Sequence, residues 1–156
     1  MNDYAILSEQ IDALAEGCHK PLPVLANAAA LLWQCLPDLN WAGFYLLRGN
    51  ELLLGPFQGK IACTTIRLGR GVCGTAAASR LPQRVDDVHL FPGHIACDAA
   101  SRSELVIPLI TGDGELKGVL DLDSPSPARF TAEDQQGLEA FSQTLLGSID
   151  WSDGLI

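Results

Sequence analysis

The sequence predicts an α+β domain in which a mostly antiparallel sheet of five or six strands carries helices on one face. Two observations predict it. Apolar residues recur every three or four positions at both ends of the chain, and the middle switches to strand-like segments separated by glycine turns. The 156 residues suit one domain, taken as 1–156, because domains run to about 100–200 residues.

The first helix is read from Tyr4, Leu7, Ile11 and Leu14, with Gly17 ending the pattern. Pro21-Leu22-Pro23 reads as a connection to a second helix striped by Leu25, Ala29, Leu32 and Leu36 and stopped by Pro37. Trp33 on that helix is assigned to the core. Residues 41–47 then turn through Arg48-Gly49-Asn50 into 51–54, which makes a hairpin. Residues 63–68 are the next strand, followed by Gly69-Arg70-Gly71, a short helix through 76–78 and a brief strand at 83–85. Residues 86–102 show no period, and a long irregular loop in a small domain is usually functional or disordered. Strands resume at 104–110, turn at Gly112-Asp113-Gly114 and return through 115–123. Pro125 and Pro127 end the sheet. Thr131, with Asp134 three residues on, sets a capping box before a helix lined by Leu138, Phe141, Leu145 and Ile149.

Acids outnumber bases 19 to 10, for a net charge of −9. Residues 1–78 carry six acids and five bases, and residues 79–156 carry thirteen and five. A chain this acidic is repelled by phosphate backbones and anionic lipid, so neither a nucleic acid nor a membrane is expected as a partner. No apolar run approaches the roughly 18 residues of a membrane span. The N-terminus lacks a basic leader and a cleavable apolar stretch, so a cytoplasmic location is expected. Five cysteines (Cys18, Cys35, Cys63, Cys73 and Cys97) are odd in number and unevenly placed, which argues against a secreted disulfide framework.

Chemistry is sought first among the acids. In Gly118-Val119-Leu120-Asp121-Leu122-Asp123, strand alternation puts Leu120 and Leu122 on one face and Val119, Asp121 and Asp123 on the other. Two aspartates ~7 Å apart repel by about 2 kcal/mol at an effective dielectric near 20. Such a pair wants a cation, a shared proton or open water. A solvated sheet face is the plainer reading, and Glu104 at the head of the neighbouring strand weighs against it. Trp41 and Tyr45 share one face of their strand, with Ala42, Phe44 and Leu46 on the other, so the aromatics either wall a small pocket or belong to the core.

Cys73 begins a short helix behind two glycines, where the helix dipole favours a thiolate. Cys63 starts a strand and Cys97 lies in the irregular loop, whereas Cys18 and Cys35 read as incidental. His89, His94 and Cys97 fall close together, but their spacing and that of Cys63 and Cys73 match no common zinc module, so no metal is expected. A serine hydrolase is weaker still, since no G-x-S-x-G elbow occurs.

Several longer motifs carry a resemblance. They are Asn40-Trp41-Ala42-Gly43-Phe44-Tyr45, Gly55-Pro56-Phe57-Gln58-Gly59-Lys60-Ile61-Ala62-Cys63 and Gly69-Arg70-Gly71-Val72-Cys73-Gly74-Thr75. Val88-His89-Leu90-Phe91-Pro92-Gly93-His94-Ile95-Ala96-Cys97-Asp98, Ser103-Glu104-Leu105-Val106 and Gly118-Val119-Leu120-Asp121-Leu122-Asp123-Ser124-Pro125 complete the set. Together they resemble the free methionine-(R)-sulfoxide reductases, which are stand-alone GAF domains, over nearly the whole chain.

The resemblance implies a GAF-like fold, an enclosed substrate site, a homodimer, and thioredoxin-dependent reduction of free L-methionine-(R)-sulfoxide. No bound cofactor is implied, and thioredoxin, with NADPH and thioredoxin reductase, is the electron source. Cys97 matches the nucleophile, Cys63 the resolving thiol, and Cys73 a third cysteine of less settled role. The physical reading agrees. Oxide leaves a sulfoxide only if protonated, and a carboxylic acid kept neutral by its neighbours supplies that proton. Glu104 and Asp123 are the candidates, with Asp121 on the substrate ammonium. Backbone N–H groups of residues 93–96, Ile95 and Ala96 among them, would hold the carboxylate. Trp41, with Tyr45 beside it, would pack on the S-methyl. A GAF module that binds a ligand without chemistry, a thiol redox sensor and a zinc-binding module are the other readings.

Overall fold

The fold is built on one six-stranded sheet whose neighbours all run antiparallel, in the order β3-β2-β1-β6-β5-β4. The computed structural model describes residues 3–95 and 98–156. Helices α1 (Tyr4–Ala15) and α2 (Pro21–Cys35) precede β1 (Trp41–Arg48), β2 (Glu51–Gly59) and β3 (Thr65–Arg67). After α3 (Gly71–Ser79) and β4 (Gln83–Val85), a single 3-10 turn at Val88–Leu90 interrupts the long connection to β5 (Ser103–Ile110) and β6 (Leu116–Ser124). Helix α4 (Ala132–Gly147) follows, opened by the expected capping box between Thr131 and Asp134. No helix among the described residues is long and apolar enough to cross a membrane.

Strand alternation separates two cores. On one face Ala42, Phe44, Leu105, Ile107, Leu109, Leu120 and Leu122 pack under α1, α2 and α4. On the other, Trp41, Tyr45, Val106 and Val119 pack against Val72, Cys73, Ala76 and Ala77 of α3. The sequence expectation of helices on one face therefore holds for α1, α2 and α4 but not for α3. α3 is too short and too uniformly apolar to show a sidedness of its own, and only the sheet decides where it lies.

Other expectations shift for local reasons. Pro21-Leu22-Pro23 is not a connection but the first turn of α2, where a missing N–H costs nothing. Leu14 is 51% exposed, because Leu7, Ile11 and Ala15, four residues apart, form the buried stripe of α1. Trp33 is 38% exposed rather than core, since it lies one residue beyond the stripe that ends at Leu32. The strand expected at 63–68 shortens to Thr65–Arg67, leaving Cys63 in the connection before it, while β2 runs on to Gly59.

Candidate active site

Register assembles the site. Trp41 of β1 pairs with Asp123 of β6, which pairs with Glu104 of β5, which pairs with Val85 of β4. In the next row Gly43 pairs with Asp121, and Asp121 with Val106. Two rows of one sheet face thus carry all three acids and the first aromatic, and they open into a cleft of about 540 Å³ counting its mouth. The face is not solvated. Glu104 and Asp121 are 6% and 5% exposed, and Asp123 keeps part of its surface open to the cleft.

Burial sets the charge state of these acids. Loss of water pushes Glu104 well above the usual carboxylate range, and the fields of Asp121 and Asp123 push it further. Asp123 is likewise pushed well up by desolvation and then by Asp121. Asp121 is raised by desolvation to about 6, contacts with Glu104 and Cys73 holding it down. Burial thus favours the protonated form at all three acids, so the cluster carries less charge than three solvated carboxylates would. Asp121 Oδ1 is buried with no hydrogen-bond partner, an acceptor left for a donor that the cleft would admit.

The aromatic wall is also a scaffold. Trp41 stacks on Tyr45 at 5.8 Å between centroids and on Phe57 at 5.1 Å, with interplanar angles of 23° and 14°. Trp41 Nε1 donates to the Lys60 carbonyl at 3.2 Å, and the Tyr45 hydroxyl donates to the Cys63 carbonyl at 2.9 Å. These two bonds hold the segment after β2 across the cleft, where Ile61 and Ala62 line it. Cys63 is disulfide-bonded, whereas Cys73 is free and buried and Cys18 and Cys35 are free and exposed.

Cys73 does line the cleft from the first turn of α3, but the expectation of a thiolate there fails. Desolvation, followed by the fields of Asp121, Glu104 and Asp123, pushes its thiol well above the ordinary value. A helix dipole contributes only ~0.3–1 kcal/mol at an exposed site and cannot offset full burial beside acids.

The irregular loop closes the fourth side. Ile95, His94, Asp98 and Ser101 line the cleft. Asn40 Nδ2 donates to Asp98 Oδ2 at 3.0 Å and to Ser101 Oγ at 2.9 Å, tying the loop to the start of β1. A backbone N–H from Ala100 holds the Asp98 carboxyl below its usual range. Ile95 packs against Gly71, where a Cβ would lie 3.2 Å from its Cγ1 on a backbone at φ +63°. The expected roles of Ala96 and Cys97 fall outside the described residues. His89 sits apart, paired with Asp87 at 3.1 Å.

Phe57 and Asn40 stand in the sequence motifs, but no role is assigned to either there. A signal for Phe57 was present in Gly43, which has no side chain between two aromatics on the same face. A Cβ there would lie 2.3 Å from that of Phe57, so only glycine lets Phe57 reach Trp41. Asn40 carries no local signal, because its partners lie 58 and 61 residues away.

Comparison with known proteins places this geometry. The GAF domain family model matches residues 21–149. The chain is 58% identical over 135 residues to the free methionine-R-sulfoxide reductase of Escherichia coli (strain K12), covering 86% of this chain and 81% of that one. The reduced form of fRMsr of Staphylococcus aureus superposes with a TM-score of 0.91 at 47% identity, covering 96% of this chain and 97% of that one. A free methionine-R-sulfoxide reductase from Neisseria meningitidis, solved in complex with its substrate, gives 0.88 at 41% identity, covering 93% and 87%.

Proposed function

The chain belongs to the free methionine-R-sulfoxide reductases of the GAF domain family, and from that premise we propose that it reduces free L-methionine-(R)-sulfoxide to methionine. One observation carries the chemical reading: three acids, Glu104, Asp121 and Asp123, whose burial favours retention of protons, share the base of a cleft walled by Trp41. Asp121 takes the substrate ammonium, an ion its unpartnered oxygen lacks. Trp41 packs on the S-methyl, with Tyr45 beside it, and backbone N–H groups at Ile95 and Ala96 take the carboxylate. A zwitterion held at both charged ends excludes methionine sulfoxide within a peptide.

The Cys97 thiolate attacks the substrate sulfur while Glu104 or Asp123 protonates the sulfoxide oxygen. Oxygen passes from substrate to enzyme. The substrate sulfur gains two electrons and leaves as thioether, and the Cys97 sulfur loses two and becomes a sulfenic acid. Condensation with the Cys63 thiol forms a disulfide and releases water. The thioredoxin dithiol then reduces that disulfide and is itself restored by NADPH through thioredoxin reductase. The disulfide state of Cys63 and the free state of Cys73 support Cys63 as the resolving residue. No bound cofactor takes part, and the working form is a cytoplasmic homodimer.

Thioredoxin-coupled NADPH consumption tests the reading with each epimer of free methionine sulfoxide. Turnover is expected with the R epimer alone. Absence of turnover with that epimer overturns the proposal, and turnover of a sulfoxide-containing peptide overturns the specificity argument. With thioredoxin as the only reductant, Cys63→Ser is expected to yield about one product per site.

A further inference from the structure

Cys73 is the cleft thiol for which the proposed reaction has no task. It is free and 4% exposed, and it faces the acids rather than solvent. Its Sγ and one carboxylate oxygen each from Glu104 and Asp121 all lie within 4.8 Å of one another. The second observation is the Asp121 carboxylate itself, 5% exposed, directed into the cleft and with Oδ1 unpartnered. The leading fields on the three come from one another and from Asp123, while Arg70 also lines the cleft. We propose that Cys73, Glu104 and Asp121 form a three-ligand site for a thiophilic divalent cation of the zinc class, at the floor of the cleft, where its occupancy excludes substrate.

The donor set chooses the ion. Mg²⁺ and Ca²⁺ take oxygen ligands in larger numbers, whereas Zn²⁺ accepts thiolate and carboxylate together in a four-coordinate shell. Metal–ligand bonds of ~2.0–2.3 Å in a tetrahedral shell set the donor atoms about 3.5 Å apart, inside the 4.8 Å within which the three lie. The fourth position faces the cleft and takes water. Binding expels to solvent the Cys73 thiol proton and any carboxyl protons the ligands hold, so affinity rises with pH. An ammonium ion also suits the two acids but has no use for a thiolate, and this difference separates metal binding from substrate binding.

The sequence has five cysteines, so the combined variant C18S/C35S/C63S/C97S leaves Cys73 as the sole thiol and does not depend on the catalytic reading. Titration of that protein with Cd²⁺, after circular dichroism has shown native secondary structure, is expected to give a sulfur-to-metal charge-transfer band saturating at one equivalent. The band is expected to vanish when Cys73→Ser is added. In parallel, calorimetry of the wild-type protein in its disulfide form is expected to show one Zn²⁺ bound with proton release, and loss of that binding in Cys73→Ser and in Asp121→Asn. A folded combined variant without the band, or Zn²⁺ binding undiminished by Cys73→Ser, overturns the site. Free methionine is expected to raise the apparent dissociation constant for Zn²⁺. Zn²⁺ binding that needs Cys73 but ignores methionine upholds the metal site and overturns the substrate pose.

Discussion

Leu120, Asp121, Leu122 and Asp123 are consecutive residues of one strand, yet they serve opposite ends. Leu120 and Leu122 are fully buried under three helices in an apolar core. Asp121 and Asp123 face α3 and the cleft, where Asp121 is nearly as dry and Asp123 is half-buried. On the first face burial is favourable, at ~25 cal/mol per Å² of apolar surface removed from water. On the second, burial of carboxylates is unfavourable unless they keep their protons or meet a cation. The helix face thus supplies stability that the cleft face consumes. The cleft face tolerates that cost because its strands are already fixed by their other side.

Substitutions on the two faces should therefore separate activity from stability. Cys97→Ser is expected to show the largest effect, complete loss of product from the R epimer with an unchanged thermal midpoint when both proteins are compared fully reduced, so that no disulfide contributes. A lowered midpoint would shift that residue from chemistry to packing. Leu122→Ala comes next and should cost about 2–5 kcal/mol in denaturant unfolding. The remaining folded enzyme should turn over normally, so activity lost ahead of folding would break the division between faces.

Asp121→Asn inverts that pattern. It should lower kcat/KM by about 100-fold while leaving the unfolding midpoint unchanged or raised, because it removes a buried charge. The same variant sharpens the argument through pH. The folded-state pKa of Asp121 is raised by burial to about 6 from an ordinary 3.8. Its contribution is complete below the ordinary value and is lost as pH climbs through about 6. Wild-type stability should fall over that interval, and Asp121→Asn should flatten the fall. An identical slope in both proteins would remove Asp121 as its source.

Far from either face, Thr131→Ala at the start of α4 should cost about 1 kcal/mol with no change in turnover. The Thr131 oxygen holds only the helix end, whereas the Asp134 carboxylate, untouched in this variant, also accepts from Tyr4 of α1 and from Arg129. Asp134 runs opposite to Asp121 in pH. Against desolvation, which raises it, hydrogen bonds from Thr131 and Tyr4 keep it below its ordinary value, so its contribution is lost as pH falls.

Much of this was legible in the chain because the signals were local. The period of the closing helix, its capping box, the brief strand at Gln83–Val85 and the alternation through Asp123 are each written within a few residues. The long motifs identified the family for the same reason. The sharing of one face by Asp121 and Asp123 follows from strand geometry alone.

Tertiary structure alone decided what that face is. Glu104 reaches the aspartates through the β5–β6 register, α3 settles on the far side of the sheet, and Asn40 finds Asp98 and Ser101 across the cleft. The charge of Cys73 was decided there too. A helix terminus is a local feature that the sequence displays, whereas desolvation and the field of three acids are sums over everything the fold brings near. A sequence states which groups are present and how neighbours alternate. How much water each group loses depends on residues far away in the chain.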